Sequence, residues 1–267
     1  MSQVPSTSAN NFAELAATVL EQAKRAGASE ADVLLAEGDG LSVQVRVSNV
    51  ARLSRSREDG LGIRIFFGKR SASASTSDFS QDSLHRLVDD TCSLAKAVVE
   101  DPTSGLPEAG QYATSFPDLD LTDTRKLTVE EEIDLAKRAE QAAFSADARI
   151  TNSEGADCSS NSGSVLLANS HGFVGSYGST FYALSVSPIA QEDGGSGMQR
   201  DYWYSVARKF HQLRDPEYVG KEAARRTVRR LGSRRLTTQE VPVFFDLFGA
   251  YGWGVRLVAE VSGLVLC

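Results

Sequence analysis

Between residues 41 and 48 apolar and polar side chains alternate one for one: Leu41, Val43, Val45 and Val47 against Ser42, Gln44, Arg46 and Ser48. A helix of period 3.6 scatters these four apolar residues around its axis, whereas a strand of period two puts them all on one face. One dry face and one wet face is the pattern of an antiparallel sheet covered on a single side. Residues 32–37 form a second strand candidate, and Gly38-Asp39-Gly40 between the two is the expected hairpin turn. Further strand segments are expected at 50–55, 62–67 and 72–77.

Two amphipathic helices frame these strands. In the first, residues 12–26 place Phe12, Leu15, Ala16, Val19, Leu20 and Ala23 on one stripe, with Asn10 or Asn11 as cap and Gly27 as stop. The second spans about 80–100, with Leu84, Leu87, Val88, Thr91, Ala95 and Val98 inward. Pro102, Pro107 and Pro117 with Gly105 and Gly110 then make 101–125 a linker. Thr128 and Glu131 have capping-box spacing and open a helix to about Ala146. Strand candidates follow at 150–158, 165–168, 173–177, 181–190 and 202–207, read as an antiparallel meander with turns at 169–172 and 194–197. Asp215 and Pro216 start a last helix that ends near Gly232. The expected class is α+β: antiparallel sheets with helices packed on one face, in two sub-domains of about 10–100 and 126–246. A doubly wound parallel sheet is excluded, because its crossover helices are missing between the strands.

Composition narrows the functional classes. The chain of 267 residues has a formal net charge of −7, so it does not coat nucleic acid with its whole surface. Cys92, Cys158 and Cys267 are too few and scattered for a disulfide framework, which suits a reducing compartment. The first ten residues lack the basic and apolar regions of a secretion signal, and the cytoplasm is the expected location. The apolar segment 247–267 contains four glycines, Arg256 and Glu260, so no membrane span is expected there. His85, His171 and His211 are isolated, and no HExxH or HExxxH occurs. No GxSxG elbow is present. Gly60-Leu61-Gly62 and 194–197 match neither phosphate-binding pattern and are expected to be hairpin turns.

Two segments are candidates for partner or substrate contact. From 200 to 235 there are eleven Lys and Arg against four Asp and Glu, which leaves the remainder strongly acidic. Within it Lys221, Arg225 and Arg229 recur every fourth residue as one helical stripe, joined by Arg226, Arg230, Arg234 and Arg235. The stripe is a solvated helix face or a surface for an acidic protein, ahead of nucleic acid. Arg200, Asp201, Tyr202, Trp203 and Tyr204 concentrate charge and aromatic surface in one strand, as an interface does.

At this point the residues carry a family likeness. Residues 33–97, with Gly60-Leu61-Gly62-Ile63-Arg64 and Ser77-Asp78, resemble the N-terminal domain of the TldD/PmbA family. Asn152-Ser153-Glu154-Gly155, Gly172-Phe173, residues 200–204, Pro216-Glu217, residues 220–224 and residues 231–235 followed by 241–246 are similar to its middle region. The likeness is closer to the PmbA (TldE) branch. It implies a cytoplasmic proteolytic complex in which a TldD-like and a TldE-like subunit pair as a heterodimer acting on peptides or unfolded proteins. Members are also described as modulators of DNA gyrase. The zinc-binding HExxxH belongs to TldD, so the resemblance implies a PmbA-like subunit without zinc or catalytic residues. After Asp246 the family continues into a large C-terminal domain, whereas 247–267 carry no likeness. A frameshift, a truncated gene model, an inactive remnant or a natural short form is expected, with a tail outside any packed core and a sticky strand edge at 241–245.

Overall fold

The computed structural model describes residues 7–192, 194, 197–233, 237–240 and 242. One compact unit reaches Leu231, and a second runs from Gly232 to Cys267. The described residues of the second unit contain no helix or strand. The expectations for Arg234, Arg235, the segment 241–245 and the tail 247–267 lie wholly or largely outside the described residues.

In chain order the first unit comprises α1 (Thr7–Arg25), β1 (Glu30–Arg46), β2 (Asn49–Phe67), β3 (Arg70–Thr76), α2 (Gln81–Ala97), α3 (Val129–Ala146), β4 (Ile150–Asn169), β5 (Val174–Gln191), β6 (Met198–Arg200), β7 (Trp203–Ala207) and α4 (Pro216–Val228). The strands form one antiparallel sheet in the order β3-β2-β1-β4-β5-β6, with β7 also on β5. The α+β class holds. The two expected sub-domains, however, share this sheet, because β1 from the first half pairs with β4 from the second, Val43 opposite Cys158 and Leu35 opposite Leu166.

Alternation accounts for the layering. Ala31, Val33, Leu35, Val43 and Val45 all point to one side of β1, and all are buried. On that side α1 and α2 cover one end of the sheet, where Val19 and Val88 meet Val33, Ile63 and Leu166. At the other end Ala136 and Ala139 of α3 and Val219 and Ala223 of α4 cover Val43, Cys158 and Leu184. Thus one sheet carries two apolar cores on the same face, each under a pair of helices.

The glycine turns expected at 38–40 and 60–62 do not exist. β1 and β2 run straight through them, with Gly38 opposite Glu58 and Gly60 opposite Ala36. These glycines answer to neighbours rather than to turns: a Cβ on Gly40 would lie 2.5 Å from Asn161 Oδ1. The reversal falls instead at Val47 and Ser48, whose φ angles of 49° and 64° are rare for such residues. β4 and β5 are likewise each one strand where two were expected. Asn10 and Asn11 lie inside α1, which begins at Thr7. The capping box is present: Glu131 N donates to Thr128 Oγ1 (3.2 Å) and Thr128 N to Glu131 Oε2 (2.9 Å). Pro216 opens α4 behind Asp215, although Asp215 makes no side-chain cap bond.

Candidate functional site

The corner where β6 and β7 meet α4 gathers part of the residues singled out from sequence. Asp201, between the two strands, has a side chain only 8% exposed. Its Oδ2 lies 3.7 Å from Arg226 Nε and 3.6 Å from Arg230 NH1. Arg226 also stacks its guanidinium over Trp203, 5.0 Å from the ring centroid. Thr227 Oγ1, fully buried, reaches the carbonyl of Asp201 at 3.4 Å. The result is a latch that pins the strand pair to the last helix. Asp201 and Trp203 therefore serve packing here, and Trp203 borders the apolar core.

The remaining candidates point outward. Tyr202 and Tyr204 stack on each other with centroids 6.1 Å apart, and both are exposed. Arg200 pairs with Glu154 across the sheet edge. Arg225 is held by Glu222 at 2.6 Å, which lowers the pKa of that carboxyl. Lys221 and Arg229 are exposed on the same stripe, and Lys221 borders a shallow hollow beside Arg138 and Glu217. The basic stripe and the aromatic strand do not converge on one site: Arg226 and Arg230, not Lys221, Arg225 or Arg229, are the helix residues that reach Asp201.

A cleft of about 400 Å³ opens on the helix-bearing side of the sheet, at the start of α3. Asp39 and Leu41 of β1, Arg55 of β2, Ser160 of β4, Tyr182 of β5 and Lys126 line it. Its charges are mixed and mostly paired, with Arg55 NH2 3.5 Å from Asp39 Oδ2 and Arg125 NH2 2.6 Å from Glu131 Oε1. Tyr182 donates its hydroxyl to the Arg125 carbonyl, and burial raises its pKa. Ser160 Oγ, on the cleft wall, donates to Glu132 Oε1 at 2.5 Å. Glu132 is fully buried, and its Oε2 has no hydrogen-bond partner among the described residues. Burial pushes its carboxyl up to about 7, so this side chain holds or releases a proton near neutrality. Burial also pushes the Cys158 thiol up, which removes it as a nucleophile. Sequence reading missed this cleft; its one legible sign was an acid, Glu132, on the apolar stripe of α3 beside Leu135, Ala136 and Ala139.

Among the described residues no three His, Cys, Asp or Glu side chains converge as a metal ion requires. His171 is engaged otherwise, with Nε2 3.1 Å from Glu30 Oε1 and Nδ1 3.3 Å from the Tyr112 hydroxyl. Together with the stack of Tyr112 on Phe173 (5.3 Å), this fixes the linker against the sheet. No described helix is long and apolar enough to cross a membrane.

Comparison with known proteins places these features in a family. The profile of PmbA/TldA metallopeptidase domain 1 matches residues 31–95, and that of the PmbA/TldA metallopeptidase central domain matches 122–231. A protein of Escherichia coli O157:H7 named Metalloprotease PmbA is 38% identical over 251 residues, covering 94% of this chain and 55% of that protein. A Metalloprotease PmbA homolog of Haemophilus influenzae is 36% identical over 244 residues, 91% of this chain and 53% of its own. The chain thus spans about half the length of the curated relatives it matches. Among solved structures, a Bacteroides thetaiotaomicron protein described as a candidate modulator of DNA gyrase superposes with a TM-score of 0.78 at 25% identity, over 85% of this chain and 52% of that one. TldE of Thermococcus kodakarensis shares the fold, with a TM-score of 0.64 at 14% identity over 80% of this chain and 47% of that one. On both matched domains, in order and with the linker between them, the chain belongs to the PmbA/TldD metallopeptidase family.

Proposed function

We propose that this chain is a PmbA (TldE)-like, non-catalytic component of a TldD-type metalloprotease complex that acts on peptides or unfolded proteins in the cytoplasm. The observation that carries the reading is the 38% identity to a protein named Metalloprotease PmbA across 94% of the chain. In this reading a TldD-like subunit pairs with the chain as a heterodimer and supplies both zinc and the bond-breaking site. The present chain shapes the complex and contacts the substrate. Co-expression with a TldD-like subunit tests it: a stable complex on size-exclusion chromatography is expected. Independent elution of the two at micromolar concentration overturns it.

A second reading, contact with DNA or with a DNA-associated protein such as gyrase, draws on the description of the Bacteroides thetaiotaomicron neighbour. The electrostatics of α4 weigh against the nucleic-acid version, since Arg225 is paired with Glu222, and Arg226 and Arg230 share the single carboxylate of Asp201.

A further inference from the structure

The row of side chains that floors the cleft at the start of α3 has a buried acid without a counter-charge behind it. Arg55 of β2, Leu41 of β1, Ser160 of β4 and Tyr182 of β5 are register neighbours on the helix-bearing face. Asp39 and Ser162, two residues along their strands, form the next row on that face. Leu127 and Val129, where the chain enters α3, add an apolar wall. Behind Ser160 stands Glu132, fully buried, with Oε1 on the Ser160 hydroxyl and Oε2 without a partner among the described residues.

The cations of the cleft are engaged elsewhere. Arg55 faces Asp39, and Arg125 is held by Glu131 and lies over the Phe210 ring, 4.7 Å from its centroid. Lys126 is exposed at the mouth, where solvent and salt screen it. Among the described residues the Glu132 carboxyl has Ser160 as its one hydrogen-bond partner and forms no ion pair. A buried carboxyl in this position either stays neutral or takes a cation from outside. Ser160 gives its single hydroxyl hydrogen to Glu132, so towards the cleft it can only accept. The complementary ligand group is therefore a donor, and a positively charged donor also answers the carboxylate behind the serine. Asp39 stands in the neighbouring row as a second acceptor, while Leu41, Leu127 and Val129 offer apolar surface for a stem. At about 400 Å³ the cleft has room for one long side chain.

The geometry points to a binding site for a primary ammonium group on an alkyl stem, the end of a lysine side chain in a bound peptide, with the ammonium on Ser160 and Asp39 and with Glu132 as the counter-charge behind them. The site belongs to this chain alone and stands whether or not the chain joins a protease complex. NMR titration of the full chain at pH 8, where the Glu132 carboxyl is ionised, tests it. The probes are Nα-acetyl-lysine methylamide and two uncharged analogues, the Nε-acetylated lysine derivative and the norleucine derivative. The lysine probe binds with a Kd of about 1 mM, and both uncharged probes bind about tenfold more weakly or worse. Glu132→Gln keeps an acceptor for Ser160 and removes the charge, and circular dichroism confirms that the variant folds. It brings the lysine probe down to the level of the uncharged ones and leaves theirs unchanged, whereas a purely structural role for Glu132 moves all three together. Absence of binding by the lysine probe, equal binding of the three, or a preference for lysine that survives Glu132→Gln overturns the inference.

Discussion

Glu140 of α3 accepts the backbone N–H of Val47 at 2.9 Å, ninety-three residues away in sequence, while its second oxygen accepts that of Ser48 at 2.7 Å. The carboxylate is buried and caps a hairpin whose two central residues both have positive φ. A β-branched residue pays for that conformation, and only an outside partner holds it there. Glu140→Ala, which strips both amides of their acceptor, is expected to destabilise the fold by about 2–4 kcal/mol in urea titration. Val47→Asn relieves the backbone and is expected to stabilise by about 1 kcal/mol. Unchanged midpoints in both variants would sink this account of the turn.

The two helices over the larger apolar core touch backbone to backbone. A Cβ on Gly220 of α4 would lie 2.1 Å from the Ala139 carbonyl and 2.8 Å from the Ala142 Cβ. Gly220→Ala is therefore expected to cost about 3 kcal/mol or to force α3 and α4 apart, despite the better helix propensity of alanine. A thermal midpoint at or above the wild-type value would contradict it.

Glu132 makes stability depend on pH near neutrality. Its carboxyl, ordinarily near 4.5, is raised to about 7 by burial. Between these values the folded chain keeps a proton that the unfolded chain has lost. The stabilisation is full below about pH 4.5, falls as pH rises and is gone above about pH 7, a swing of up to about 3 kcal/mol. In Glu132→Gln the amide oxygen still accepts from Ser160 and the titration is absent. Urea titrations from pH 5 to 8 should show the wild type losing stability relative to this variant as pH rises; parallel curves would refute the assignment.

The sheet was legible where each strand reports its own environment. Val43 and Val45 alternate with polar residues because one face is buried, and that pattern is local. The turns were not legible in the same way. Gly163 is needed because a Cβ there would lie 2.6 Å from the Glu37 carbonyl, a neighbour over a hundred residues away. Conversely Val47 is a strand former rather than a turn residue, and the group that holds it in the turn sits on α3. The same holds at the latch: Asp201 reads as an interface acid until α4 brings Arg226 and Arg230 beside it.

Paired arginines on α4 limit attraction to phosphate. The chain is expected to bind a DNA fragment weakly if at all, with a steep loss on raising salt of about one log-log unit per phosphate contact. Gel-shift titration at two salt concentrations checks this, and submicromolar binding at physiological salt would restore the nucleic-acid reading.

The proposed role is that this chain contributes to a metalloprotease complex without cutting peptides itself. The direct measurement is peptidase activity on an unfolded substrate, with zinc content determined in parallel, for the chain alone and mixed with a TldD-like subunit. The account predicts no cleavage and no stoichiometric zinc for the chain alone, and chelator-sensitive cleavage for the mixture beyond that of the TldD-like subunit by itself. Chelator-sensitive cleavage by the isolated chain would contradict it.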